Sequence, residues 1–102
     1  MPGWKFEMFV FDVFEFAKSL KAMEISRTEE FAPLKNSVAE PSDNPITCRE
    51  ALSKLHKSWV EKAGGKFTGT GEFEVSTKLS YDGENLEKLV KGKTINLPCY
   101  LS

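Results

Sequence analysis

TCREALSKLHKSWVEKAGG, residues Thr47–Gly65, is the stretch that determines the fold of this 102-residue chain. Thr47 and Glu50 have the spacing of a capping box, in which each side chain bonds the backbone N–H of the other residue. A helix is therefore predicted to begin at Thr47. Its apolar residues recur at helical spacing and form one stripe, made of Ala51, Leu52, Leu55, Trp59, Val60 and Ala63. Gly64-Gly65 predicts the helix end, since glycine accepts the left-handed conformation that often closes a helix.

The chain after this helix is predicted to be rich in short strands separated by turns. Alternating apolar and polar residues predict a strand over 72–76, continued by 78–81, and Asp82-Gly83 predicts a turn. Residues 84–91 are predicted as a short helix closed by Gly92. A last strand is predicted over 94–101, at a sheet edge because Pro98 lacks a backbone N–H. The fold class is thus mixed α/β.

Residues 5–19 predict an amphipathic helix. Its apolar positions follow the i, i+3, i+4 rule and are Phe6, Phe9, Val10, Val13, Phe16 and Ala17. Phe11 and Phe14 lie off this stripe, so the helix is apolar on more than one face and is expected to be buried on both sides. Charged residues interrupt every apolar run well short of the roughly 20 residues of a membrane span. A strand is predicted over 20–26.

Residues 27–44 predict a polar loop that Pro33 stiffens. Proline fixes its own φ and pushes the preceding Ala32 toward an extended conformation. Lys35 follows on this loop, where a lysine could present a point charge to a phosphate. Taken by itself, Lys35 is better explained as an ordinary surface lysine.

Composition and charge exclude several classes of function. A net charge of −1 argues against nucleic-acid binding, which needs a strongly positive surface. The two cysteines form no CxxC pair, so no metal site is predicted, and reduced thiols in a cytoplasmic protein are expected over a disulfide. His56 is the only histidine and has no catalytic partner nearby in sequence, so a packing or surface role is expected. The glycines after the helix match no phosphate-binding loop.

Four segments, read together and in this order, resemble the eukaryotic UDP-N-acetylhexosamine pyrophosphorylases. They are FEMFVFDVF at 6–14, RTEEFAPLKN at 27–36, DNPITCREAL at 43–52 and EVSTKLSYDGENL at 74–86. The resemblance implies the C-terminal portion of such an enzyme. Residues 1–44 would hold the last helix, strand and loop of a Rossmann-like catalytic domain, and residues 45–102 a small α+β C-terminal domain.

The resemblance also implies a reaction and a set of site residues. The family joins UTP and N-acetylglucosamine-1-phosphate with Mg²⁺ present and releases pyrophosphate. The lysine matching Lys35 would contact the phosphates, and the phenylalanines matching Phe9 and Phe11 would line the sugar pocket near the N-acetyl group. The Mg²⁺ ligand, the uracil-binding residues and the Gly-rich nucleotide loop of the family have no counterpart here, so this chain is not expected to be active alone.

Two alternatives remain open from the sequence. The chain could be a non-catalytic interaction module that binds a partner through the apolar helix 5–19, because an exposed apolar face usually marks an interface. A membrane-surface role for residues 4–20 is disfavoured, since this stretch lacks the basic polar face of interfacial helices. Whether the sugar is N-acetylglucosamine or N-acetylgalactosamine is likewise open.

Overall fold

The computed structural model describes residues 2–102, and it confirms the mixed α/β class. A 3-10 helix comes first, followed by three α-helices and four short strands. In chain order the elements are the 3-10 helix Val10–Phe16, α1 Arg27–Glu30, α2 Pro45–Lys62, β1 Lys66–Thr68, β2 Phe73–Val75, α3 Glu87–Val90, β3 Thr94–Asn96 and β4 Cys99–Leu101.

The N-cap of helix α2 lies three residues before Thr47, the N-cap that the sequence predicted. Its N-cap is Asn44, whose side chain accepts a hydrogen bond from the Thr47 N–H at 2.9 Å, while Thr47 Oγ1 accepts from the Asn44 N–H at 3.0 Å. The capping box is therefore Asn44–Thr47, and the predicted Thr47–Glu50 box is wrong. Pro45 fits the first helical position, where a backbone N–H would have no intrahelical partner. The predicted end is confirmed, as Gly64 has a left-handed φ of 92°.

The strands form two small parallel sheets, one pairing β1 with β3 and the other pairing β2 with β4. The outer edge of β2 faces α2, which supplies acceptors where another strand would otherwise pair. The Phe73 N–H donates to Ser53 Oγ and the Val75 N–H donates to His56 Nδ1, both at 2.9 Å. The predicted strand at 72–76 is confirmed. The strand predicted over 94–101 is instead two strands separated at Pro98, and 78–81 form turns.

The hydrophobic core lies between α2, β2 and α3. Its buried residues are Val60, Ala63, Phe73, Val75, Leu86 and Val90. Phe67 of β1 packs against Phe73 edge to face, with ring centroids 4.9 Å apart. Within residues 2–102, every buried residue lies at position 44 or later.

Residues 2–42 bury almost nothing, which corrects the predicted helix 5–19. Within residues 5–19 only the 3-10 helix Val10–Phe16 forms, and none of its residues is buried. No strand forms over 20–26, and the predicted loop 27–44 opens with the short helix α1. An amphipathic helix draws most of its stability from packing its apolar face, and this segment has no such partner in the structure. The radius of gyration is 18.4 Å, against about 13 Å for a compact domain of this length. The chain therefore combines one packed unit with a long, largely unpacked N-terminal segment.

Candidate functional site

Lys35 lies on an exposed loop whose two ends are tied together. Its backbone N–H donates to the Asp43 carbonyl at 2.8 Å, and the Asn36 N–H donates to the same carbonyl at 2.9 Å. The Asn36 side-chain amide adds a bond to the Ser42 carbonyl at 2.8 Å. The backbone of Lys35 is thus held in place while its side chain stays exposed to solvent.

The same loop is anchored to the start of α2. Asn44, only 5% exposed, caps α2 with its side-chain oxygen. Its side-chain nitrogen donates to the Glu40 carbonyl at 2.7 Å. Asp43, next to it, takes a left-handed φ of 52°, a conformation that aspartate tolerates better than most residues. Lys35 is therefore connected to the packed part of the chain through two consecutive residues.

Phe9 and Phe11 belong to an exposed aromatic cluster at the 3-10 helix. Their rings stack with centroids 6.5 Å apart, and Phe11 meets Phe14 edge to face at 5.6 Å. Phe9 is 55% exposed and Phe11 is 65% exposed. Flat apolar rings so arranged offer a surface suited to a methyl-sized apolar group.

Several clefts lie along α2, away from these three candidates. One of 440 Å³ separates α1 from α2 and is lined by residues that include Arg27, Phe31 and Leu55. Another, of 320 Å³, lies between α2 and the β2–β4 sheet, beside Arg49 and Tyr100. Neither cleft has Lys35, Phe9 or Phe11 in its wall, so these clefts do not join the lysine to the aromatic cluster.

The surroundings of His56 and Glu84 shift the pKa of each side chain, and both side chains bond backbone N–H groups of the fold. Burial lowers the pKa of His56 below its usual 6.5, although the charge of Glu74 opposes the shift. The His56 ring also stacks on Trp59, with centroids 4.5 Å apart. Backbone N–H groups of Tyr81 and Asp82 lower the pKa of Glu84 to about 2. Of the packing or surface role predicted for His56, the structure shows the packing role, since His56 is buried.

Comparison with known proteins shows similarity to part of one family of enzymes. A UDP-N-acetylglucosamine pyrophosphorylase of Saccharomyces cerevisiae is 46% identical over 96 residues, which cover 92% of this chain and 20% of the yeast protein. UDP-N-acetylglucosamine diphosphorylase 2 of Arabidopsis thaliana is 43% identical over 98% of this chain and 21% of its own length. The chain is homologous to the C-terminal portion of UDP-N-acetylhexosamine pyrophosphorylases.

A solved structure agrees with this family. A crystal structure from Entamoeba histolytica, of a protein proposed to be a UDP-N-acetylglucosamine pyrophosphorylase, superposes with a TM-score of 0.79 at 38% identity. The match covers 94% of this chain and 24% of that one. No family model matches the chain. The chain spans about a fifth of the length of the pyrophosphorylases it matches.

The residues that tie Lys35 in place were not singled out from the sequence. Asn36 lies inside one pyrophosphorylase-like segment, and Asp43 and Asn44 lie inside the next. The available signal was the run SDNP at 42–45, because Asp and Asn before proline are typical of turns and helix caps. Within residues 2–102, no helix has the length and apolar character needed to cross a membrane.

Proposed function

We propose that this chain is the C-terminal part of a uridylyltransferase that forms UDP-N-acetylglucosamine and pyrophosphate from UTP and N-acetylglucosamine-1-phosphate. The observation that carries the proposal is the match to named pyrophosphorylases over nearly the whole chain. Residues 1–44 would form the end of a Rossmann-like catalytic domain, and residues 45–102 would form the C-terminal domain. As a part of a larger cytoplasmic enzyme, this chain would have no activity alone.

Lys35 would act on the phosphates of UTP. An oxygen of the sugar phosphate attacks the α-phosphorus, and the bond from that phosphorus to the bridging oxygen breaks, so that pyrophosphate leaves with the electron pair. Such a transfer depends on positioning and charge neutralisation. The Lys35 ammonium is exposed, and its backbone is anchored, which supports a role in offsetting the charge of the phosphoryl oxygens.

Phe9 and Phe11 would form part of the wall of the sugar pocket. Their exposed, stacked rings would contact the acetamido methyl group once the rest of the catalytic domain covers them. A contact of this kind discriminates modestly, by about 1–3 kcal/mol for a methyl-sized group. It would favour an N-acetylated sugar over one that carries a hydroxyl at that carbon.

Mg²⁺, which the family relation implies, would be held outside this chain. Mg²⁺ is commonly held by one or two carboxylates together with substrate phosphates, and the rest of the enzyme would supply those carboxylates. Within residues 2–102 no group of three or more His, Cys, Asp and Glu side chains lies together. Lys35 is the group that would contribute positive charge at the phosphates from this segment.

The test of Lys35 uses the complete enzyme and a Lys35→Ala variant, with Lys78→Ala as a matched control on another exposed lysine. We expect Lys35→Ala to lower kcat for uridylyl transfer on the order of a hundredfold, the scale seen when one charge-stabilising donor is lost. Lys35→Arg should retain part of the activity because it retains the charge. Unchanged kcat and KM in Lys35→Ala would refute the proposed role.

The sugar-pocket role has a separate test in the same enzyme. Phe9→Ala should reduce the preference for N-acetylglucosamine-1-phosphate over glucose-1-phosphate, measured as the ratio of the two kcat/KM values. The expected reduction is roughly tenfold or more, which corresponds to the loss of a methyl-sized contact. A variant with the preference of the parent would contradict the assignment of Phe9.

A second candidate function rests on the exposed apolar residues of the N-terminal segment. Trp4 is 94% exposed, Phe6 is 93% exposed and Met8 is 92% exposed, whereas soluble proteins seldom leave large apolar patches uncovered. The chain would then be a non-catalytic module that binds a full-length pyrophosphorylase. Co-elution of the chain with the complete enzyme, lost in Phe6→Glu, is the expected result. Separate elution of the two proteins would contradict it.

A further inference from the structure

The hydrogen bonds around Lys35 connect it to α2 by a defined route. The Asp43 carbonyl accepts both the Lys35 and the Asn36 N–H groups, which closes the loop 35–43 at its base. The Asn36 side chain then bonds the Ser42 carbonyl across the loop. Asn44 bonds the Glu40 carbonyl from the α2 side and is the N-cap of α2.

The far end of this route is the packed core. Helix α2 holds buried Val60, and its Ser53 and His56 side chains bond the edge of β2. The position of α2 is therefore fixed by the core and the sheet. Through Asn44, the loop that presents Lys35 takes its position from α2 and not from the unpacked segment before it.

From these contacts we infer that Asn36 and Asn44 are positioning residues for Lys35. Residues 45–102 thereby contribute to catalysis, because they hold this lysine where it can contact the phosphates of the nucleotide. The inference rests on the proposed function, because it assigns a cause to the placement of the proposed phosphate-binding group. Neither asparagine needs to touch substrate. Each restricts the loop, so less conformational freedom is lost when the Lys35 ammonium meets the phosphates.

The two asparagines allow variants that separate positioning from folding. Asn36→Ala removes the bond to the Ser42 carbonyl. Asn44→Asp keeps an oxygen that can cap α2, and aspartate is as good an N-cap as asparagine, but it removes the donor to the Glu40 carbonyl. Ser37→Ala is the matched control, since Ser37 lies in the same exposed loop and its hydroxyl takes no part in this network.

The experiment measures steady-state uridylyl transfer by the complete enzyme for each variant, alone and combined with Lys35→Ala, together with its thermal melting temperature. Asn36→Ala and Asn44→Asp should each lower kcat on the order of tenfold to a hundredfold, the scale of a misplaced catalytic group, with smaller changes in KM. Ser37→Ala should behave as the parent. In the Lys35→Ala background neither asparagine variant should lower the rate further, because the group that they position is gone.

The outcomes distinguish this inference from the proposed function. If Lys35→Ala is impaired while both asparagine variants match the parent, positioning is refuted and the role of Lys35 stands. If the asparagine variants lower the rate by the same factor with and without Lys35, they act independently of the lysine, and the inference fails. If Lys35→Ala itself matches the parent, the proposed role of Lys35 fails and the inference fails with it, whereas the assignment to a uridylyltransferase fails only if the complete parent enzyme transfers no uridylyl group.

Discussion

His56 allows the packing of the C-terminal part of the chain to be tested quantitatively. His56→Ala would leave the buried Val75 N–H without its acceptor, which costs about 1–3 kcal/mol, and would remove the ring stacked on Trp59, worth about 0.5–1.5 kcal/mol. The free energy of unfolding should therefore fall by about 2–4 kcal/mol. Urea titration of the chain, followed by tryptophan fluorescence, measures this change, because Trp59 is half-buried while Trp4 is exposed.

The matched variant is His56→Asn, whose side-chain oxygen can take the place of Nδ1 as acceptor for the Val75 N–H. It should lose only the stacking and the packing, so it should be clearly more stable than His56→Ala. Equal stability of the two variants would refute the role of His56 as hydrogen-bond acceptor for the edge of β2. A fall of less than about 0.5 kcal/mol in His56→Ala, within the range of ordinary surface substitutions, would refute the burial argument itself.

The same residue predicts a pH dependence. Burial lowers the pKa of His56 in the folded chain, so the unfolded chain binds the proton first as the pH falls below 6.5. Stability is thus fully present above pH 6.5 and is lost below it, with a slope of at most about 1.4 kcal/mol per pH unit until the folded pKa is reached. Glu74, whose charge favours the protonated ring, moderates the loss. His56→Asn should lack this slope below pH 6.5.

Two other substitutions have outcomes fixed by local geometry. Gly83→Ala should destabilise the chain by at least about 1–2 kcal/mol, because φ is 86° and a Cβ would lie 2.6 Å from Trp59 Cγ. Gly92→Ala is the control and should cost less, since Gly92 has a φ of 73° but open space around it. Equal costs of the two substitutions in urea titration would contradict the contact with Trp59. The pKa of Glu84 is lowered to about 2 in the folded chain, so its carboxylate contributes stability that is present above pH 4.5 and is lost as the pH falls through about 2. Glu84→Gln should lack this contribution, so its stability should depend less on pH over that range. Acid titrations of parent and variant that run parallel would contradict that assignment.

The parts of the fold that sequence predicted well are those with local causes. Helix α2 has its cap, its apolar stripe and its terminal glycine within one stretch, so its extent was predicted to within three residues at its start and two at its end. The cap itself was misassigned because Thr47 occurs in two overlapping patterns, and Asn44 before Pro45 gives the better geometry. The strand at 73–75 followed from alternation for the same local reason.

The parts that sequence missed depend on distant partners. Helix 5–19 was predicted from an apolar periodicity that stabilises a helix only when a second surface covers it. The parallel pairing of β1 with β3 and of β2 with β4 joins residues far apart in the chain, and no local signal specifies that register. Lys35 could be proposed from its family-like segment, but the bonds of Asn36 and Asn44 that hold it follow only from the folded loop.

The most direct test of the account is a crystal structure of the complete enzyme with a non-hydrolysable UTP analogue and N-acetylglucosamine-1-phosphate. We expect Lys35 Nζ to lie within about 3 Å of a phosphate oxygen, as in a charge-assisted hydrogen bond. We also expect the Phe9 and Phe11 rings to lie against the acetamido methyl group. A Lys35 side chain that points into solvent on the far side of its loop, with both rings away from the sugar, would contradict the assignment of this segment to the active site.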